Sequence, residues 1–420
     1  MDKITKSYLA ARDEYAEYGI DTEIALRTLR DTSLSIHCWQ ADDVGGYENT
    51  GNDLAGSGLQ VTGNYPGKAR NMNEFRNDLK TAFSLIPGKH RLSLHAIYGD
   101  FSSGFPGREK IGPEHFKSWV EWAKDLDIKL DFNSTFFAHP NVKDGFTLAS
   151  KDKYIRDFWI EHGKKCREIS AYLGKEQGSK CIHNIWIPDG SKDVTPSRFT
   201  HREFLKNSLD QMLSTPYPST YMRDSVESKL FGIGTETFVA GSHEFYLGYA
   251  IQNKTMLTLD IGHFHPTESV ADKVSSAFLY LDELLLHVTR GIRWDSDHIV
   301  SLNDQLTELM NEIIWSGKLD KVNIGLDFFD ATVNRIGAYV IGARNTQKAL
   351  LQALLLPVKQ MKEYESQGKL FERLAIFEEF KTKPLGAIWD YFCMNSATPV
   401  GDSYISVIQE YEKNVLNKRK

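Results

Sequence analysis

From about residue 34 onward, short apolar runs rich in β-branched residues alternate with longer stretches in which apolar positions return every three or four residues. The first spacing suits a strand buried on both faces and the second a helix with one buried face. The chain therefore reads as repeated βα units around a parallel sheet. Eight strands are predicted, over residues 34–39, 91–98, 129–135, 181–188, 229–234, 256–262, 283–289 and 322–327. Helical windows separate them at 115–126, where Phe116, Trp119, Val120 and Trp122 are the large apolar positions, and at 155–173, 202–213 and 304–315. Eight alternations over roughly 300 residues predict a closed (β/α)8 barrel, since an open doubly wound sheet usually has fewer strands. Ahead of the barrel, residues 10–30 read as two helices broken at Gly19, the second capped at Asp21-Thr22 with Ile24, Leu26 and Leu29 as its apolar positions. Residues 340–362, 370–381 and 402–418 also look helical and exceed the single helix that the last strand requires. The expected organisation is a barrel with N-terminal helices over residues 1–340 and a C-terminal helical extension over 341–420, packed on the barrel or on another subunit.

Composition narrows this picture without changing it. Hydrophobic residues make up 41% of the 420-residue chain and charged residues 25%, the balance of a folded soluble domain. A net charge of −6 gives no general attraction to phosphate backbones or anionic lipid, which disfavours nucleic acid and membrane as partners. The N-terminal residues break every apolar run with charge and predict no signal peptide, and no apolar stretch is long enough to span a bilayer. Cys38, Cys166, Cys181 and Cys393 form no CxxC pair, which fits a reduced, cytoplasmic chain. Residues 45–70 hold seven glycines and few large apolar residues, and are expected to form a mobile loop over the pocket.

Chemistry concentrates where the predicted strands end. In a parallel barrel that end carries the active site, so charge there weighs more than charge elsewhere. The fifth strand is expected to open with Glu227 and Lys229. The sixth carries Asp260 and is followed by His263 and His265. The seventh carries His287 and leads to Asp295 and Asp297, and the eighth ends in Asp327. A single aspartate after a strand commonly caps a helix, His287 alone would suit a hydrogen-bonded core position, and Lys229 alone a solvated flank. Caps need neither histidine nor lysine, however, and the series over four consecutive strands points to metal binding. Carboxylates with a minority of imidazoles suit Mn²⁺, Mg²⁺ or Co²⁺, and the number of donors is enough for about two ions. The N-terminal half adds Trp39, His95, Asn133 and Trp186, aromatic walls with sparse polar groups that suit the C–H faces and hydroxyl edges of a sugar. Barrel packing accounts for the two tryptophans equally well.

Several of these residues lie in blocks that resemble the L-rhamnose isomerase family, within the wider xylose isomerase-like superfamily. The blocks are His37-Cys38-Trp39-Gln40, Gly63-Asn64-Tyr65-Pro66-Gly67-Lys68-Ala69-Arg70, Glu227-Ser228-Lys229-Leu230-Phe231-Gly232-Ile233-Gly234, Asp260-Ile261-Gly262-His263-Phe264-His265-Pro266-Thr267-Glu268, Arg293-Trp294-Asp295-Ser296-Asp297-His298 and Gly325-Leu326-Asp327-Phe328-Phe329-Asp330. The resemblance runs from about residue 10 to the end. It implies one metal held by Glu227, Asp260, His287 and Asp327, and a second held by His263, Asp295 and Asp297, with Asp260 available to both. The resemblance further implies Mn²⁺, with Co²⁺, Mg²⁺ or Zn²⁺ able to take its place, a homotetramer, and aldose–ketose isomerisation of L-rhamnose. Two cations at the mouth favour a metal-assisted hydride shift over an enediol, Lys229 beside Glu227 can donate to O1, and His95 can handle the ring oxygen. Lys229, Asp295, Asp297 and His95 are therefore the expected catalytic residues, and Trp39, His95, Trp186, Lys229, His263 and Asp327 the expected sugar contacts. Two other classes compete with this expectation. A metal-dependent endonuclease uses a similar acidic barrel mouth, and a non-catalytic sugar-binding protein needs the aromatic walls without the metals.

Overall fold

Asp21 accepts hydrogen bonds from the Glu23 and Ile24 amides and so starts the helix Thr22–Asp31, after the helix Lys3–Ala16 has ended and Gly19 has turned the chain at φ +73°. The structure, a computed structural model, describes residues 1–48, 63–142, 145–229, 237–292 and 294–419, with the side chains of residues 294–296 also outside the description. Most of the expected 45–70 loop, residues 49–62, lies outside the described residues.

Eight parallel strands close into a barrel: β1 Leu34–His37, β2 His90–His95, β3 Lys129–Asn133, β4 Cys181–Ile185, β5 Met222–Glu227, β6 Met256–Asp260, β7 Leu284–Val288 and β8 Val322–Leu326. Each pairs with its successor, and β1 pairs with β8, so the barrel sheet has no free edge. Seven strands fall where the sequence pattern puts them. The fifth does not: Glu227 ends β5 instead of opening a strand over 229–234, and residues 230–236 lie outside the described set. The reason is local. Arg223, Asp224 and Ser225 interrupt the apolar pattern, yet Asp224 is held by Arg167 at 3.1 Å and by His183 at 2.8 Å behind the strand. The apolar core continues between barrel and outer helices, with Trp119, Trp159, Phe116 and Phe132 fully buried.

The predicted helices form with ragged ends, as Lys117–Asp125, Lys153–Gln177, Arg198–Met212 and Asp304–Trp315. The helix after β8 runs Arg335–Leu354, so position 340 lies inside it, and Val358–Ser366, Leu370–Phe380, Leu385–Asn395 and Tyr404–Asn414 follow. Leu385–Asn395, which packs on the N-terminal helix, has no counterpart in the sequence reading. No helix among the described residues is long and apolar enough to cross a membrane. All four cysteines are buried thiols.

Candidate metal centre

Glu227 and Asp260 are the last residues of β5 and β6, and His287 stands directly across from Asp260 in the pairing of β6 with β7. Asp327 is the first residue beyond β8, fixed by its amide donating to the Val288 carbonyl at 3.1 Å. Adjacent strands thus deliver four potential ligands to the C-terminal mouth, and one atom from each lies within 4.8 Å of the others. His287 Nδ1 is 3.0 Å from Asp327 Oδ2, 3.2 Å from Glu227 Oε1 and 3.6 Å from Asp260 Oδ2.

The second group comprises Asp260, His263 and Asp297, again with one atom from each within 4.8 Å. His263 ends the short 3-10 turn Ile261–His263 that directly follows β6, and its Nδ1 is 3.1 Å from Glu227 Oε1. Asp297 arrives from further along the chain. It lies on Trp294–His298, which pairs antiparallel with Arg290–Ile292 in a small hairpin over the barrel mouth. The hairpin sits close because two glycines meet there: a Cβ on Gly291 would come 3.2 Å from the Gly262 Cα, and one on Gly262 would come 3.4 Å from Asp297 Oδ1. Asp297 itself has φ +40°, a left-handed conformation that aspartate tolerates better than most residues. The side chain of Asp295 lies outside the described residues.

The electrostatics follow from this crowding. Burial disfavours the His287 cation, but the Glu227 charge and the contacts with Asp260 and Asp327 outweigh it and hold its pKa well above the usual imidazole value. Burial pushes Glu227 up, and His287 with His263 pulls it further down, leaving it far below the usual carboxylate range. Asp260 is pushed up to about 6, chiefly by burial, with Asp327 and Glu227 adding repulsion and the two imidazoles opposing it. Asp260 Oδ2 is buried without a hydrogen bond. A buried acceptor left so costs about 1–3 kcal/mol, which a cation beside it would recover. Oxygen-rich donors with one imidazole per group are those that hard and borderline divalent ions take, so these residues fit such ions.

A cavity that is open to solvent lies over both groups. One wall is an aromatic arc in which Trp39 lies 4.9 Å from His95, His95 5.4 Å from Phe137, Phe137 6.1 Å from Trp186, and Trp186 6.5 Å from His263, centre to centre. Trp39 Nε1 donates to Asp327 Oδ1 at 3.1 Å, so it also orients a potential ligand. Burial lowers the His95 pKa to about 3, with Glu227 opposing, and the ring is neutral. Lys229 is buried two residues past the end of β5, where its ammonium donates to the Pro188 carbonyl at 3.2 Å; it does not line this cavity. His265 turns away into solvent, 2.7 Å from the Thr267 hydroxyl.

Five lining residues escaped the sequence reading: Val44, Ser134, Phe137, Asn184 and Phe329. Asn184 donates to Glu227 Oε2 and accepts from Thr258 at 2.8 Å, forming the floor beneath the ligands. Its place in the predicted fourth strand was the available signal. Phe137 and Phe329 complete the apolar wall, and neither periodicity nor charge distinguishes them.

Residues 2–419 match the family described as L-rhamnose isomerase (RhaA). The chain is 53% identical over 418 residues to an L-rhamnose isomerase of Bacteroides thetaiotaomicron, covering 100% of this chain and 99% of that one. It is 51% identical over 416 residues to an L-rhamnose isomerase of Rhodopirellula baltica, covering 99% and 97%. Among solved structures, D-psicose 3-epimerase from Clostridium cellulolyticum H10 aligns with a TM-score of 0.43 at 12% identity, over 77% of this chain and 98% of that one. With two carboxylate–imidazole groups at the barrel mouth and a match that runs from residue 2 to residue 419, the chain belongs to the L-rhamnose isomerase family.

Proposed function

We propose that this chain is a divalent-metal-dependent aldose–ketose isomerase that interconverts L-rhamnose and L-rhamnulose by a hydride shift between C2 and C1. The observation that carries the reading is the pair of ligand groups sharing Asp260 beneath an aromatic-walled cavity, in a chain of this family. Glu227, Asp260, His287 and Asp327 would hold one divalent cation, and Asp260, His263 and Asp297 with Asp295 a second, and such ions would supply Lewis-acid polarisation to the sugar oxygens. We take Mn²⁺ as the activator, with Co²⁺, Mg²⁺ or Zn²⁺ as substitutes, the cytoplasm as the location, and a homotetramer packed through the C-terminal helices as the assembly.

The protein's own residues bind and orient. Trp39 and Trp186 present apolar faces to the C–H surfaces of the ring. Neutral His95 both donates and accepts, which suits proton handling at the ring oxygen as the hemiacetal opens. In the isomerisation, hydrogen leaves C2 with its electron pair and bonds to C1, while a proton passes from O2 to O1, so that the ketone forms at C2 and an alcohol at C1. Lys229 is assigned a hydrogen bond to O1 from an N–H other than the one donated to the Pro188 carbonyl. The test is direct. Protein dialysed against EDTA is given L-rhamnose with and without Mn²⁺, and ketose is measured by the carbazole colour reaction. Turnover restored by Mn²⁺ supports the reading, and full activity in metal-free protein ends it. With C2-deuterated sugar, label retained at C1 supports the hydride shift, whereas exchange with solvent favours an enediol.

A further inference from the structure

Arg108 opens the short 3-10 turn Arg108–Lys110 in the connection after β2, and its side chain is only 1% exposed. A buried guanidinium has five N–H donors to satisfy. All five are taken here. Nε donates to Glu48 Oε2 at 2.9 Å and Nη2 to Glu48 Oε1, Nη1 donates to the carbonyls of Thr135, at 3.1 Å, and Phe137, and Nη2 also reaches the Ala138 carbonyl at 3.0 Å. Glu48 belongs to the connection after β1, and residues 135–138 to the connection after β3. One side chain therefore ties together three connections at the mouth of the barrel. His162, on the helix Lys153–Gln177, closes the arrangement from behind: its Nδ1 meets the Arg108 carbonyl at 3.0 Å and its Nε2 accepts the Thr135 amide at 3.1 Å. Ala138 has φ +52°, a conformation a non-glycine residue keeps only where its surroundings impose it.

The gripped segment carries one wall of the cavity. Thr135 Oγ1 is 3.1 Å from His95 Nδ1, and the Phe137 ring stands edge-on to both His95 and Trp186. Arg108 does not line the cavity, and neither Glu48 nor the gripped carbonyls belong to the ligand groups. We propose that Arg108 is a positioning residue for the sugar: through Thr135 and Phe137 it fixes where His95 and the adjoining aromatic wall stand, and it leaves the metal groups untouched. This rests on the sugar reading of the cavity. A buried ion pair is by itself weak evidence for stability, because desolvation offsets its attraction, whereas a rigid fork with every donor directed fixes geometry.

Arg108→Lys, Thr135→Val and Thr135→Ser test the idea, each with bound metal counted by plasma emission. Lysine offers one point charge and cannot span Glu48 and three carbonyls. Arg108→Lys is expected to keep its metal while kcat/KM falls about 10- to 100-fold, with KM raised as well as kcat lowered. Thr135→Val removes only the hydroxyl facing His95 and should lower kcat about 10-fold at near-normal KM, and Thr135→Ser should restore it. Kinetic constants within about twofold of wild type in both Arg108→Lys and Thr135→Val, whatever their melting temperatures, overturn the proposal. Should Arg108→Lys fail to fold, the Thr135 pair decides. Ring ¹⁵N spectra give a readout without sugar: Thr135→Val should displace the His95 Nδ1 resonance, and an unmoved resonance also overturns the proposal. A wild-type protein inactive on L-rhamnose would sink the functional reading instead, and the spectra would still judge the positioning.

Discussion

Replacing Asp297 by asparagine should empty one metal site and spare the other. Asp297 belongs to the group with Asp260 and His263, and to that group alone among the described residues, whereas Glu227, His287 and Asp327 serve only the first. Asparagine adopts the left-handed backbone at φ +40° at least as readily as aspartate, so the hairpin should persist and the loss should report charge. Two unit charges about 4 Å apart attract by about 4 kcal/mol at an effective dielectric of about 20, so a carboxylate and a divalent ion attract by about 8 kcal/mol at that separation. The amide keeps one ligand oxygen and relieves repulsion among the remaining carboxylates, so roughly half of that survives. The net loss is about 3–4 kcal/mol, two to three orders of magnitude in affinity. Titration of EDTA-stripped protein with Mn²⁺, with bound metal counted after dialysis, should show one site weakened by that factor and the other retained, shifted only by its coupling through Asp260. Turnover should fall with the second site and melting temperature should hold. Glu227→Gln is the mirror experiment and should weaken the other site. If each variant loses both ions, or neither does, the assignment of ligands to separate sites is wrong.

Metal binding should release at least one proton near neutral pH, because His287 is held protonated by the carboxylates and must give up that proton to become a ligand. Mn²⁺ affinity should therefore rise with pH, by about tenfold per unit for one proton, and calorimetry in buffers of different ionisation heat would refute this by finding no release. Lys229→Met should slow turnover roughly 30- to 1,000-fold with full metal content; normal kcat would leave Lys229 as an anchor for the Pro188 turn. Asp224→Asn should cost about 3 kcal/mol of stability, since Arg167 is left buried without its counter-charge, and an unchanged denaturation midpoint would contradict that. In the unsubstituted protein Asp224 opposes its own burial through His183 and Arg167, which hold its pKa below the usual value. Its contribution is thus present above the unfolded carboxylate range and lost as pH falls through the depressed folded pKa, a loss absent from the asparagine variant in acid denaturation.

Much of this was legible in the residues themselves. Apolar runs locate seven barrel strands because their buried faces carry Leu, Ile and Val, and the acids at strand ends stand out because packing gives them no other purpose. Strand β5 was misplaced because Arg223 and Asp224 look like solvent-facing positions, whereas Arg167 and His183 neutralise Asp224 from behind. The Trp294–His298 strand was invisible because it is short, polar and paired only with Arg290–Ile292. Arg108 carries no local signal at all: its partners lie 27 to 60 residues away in the chain, and only the closed barrel brings them to one guanidinium.

That Asp260 belongs to both candidate groups means that two ions held there would not be independent guests. A carboxylate already engaged by one cation offers less charge to the next, while the first ion also fixes the orientation the second requires, so filling either site must alter affinity at the other. Thermodynamic reciprocity makes that alteration equal in both directions. The binding isotherm is then a property of the pair, and metal exchanged at one position will change what is measured at its neighbour.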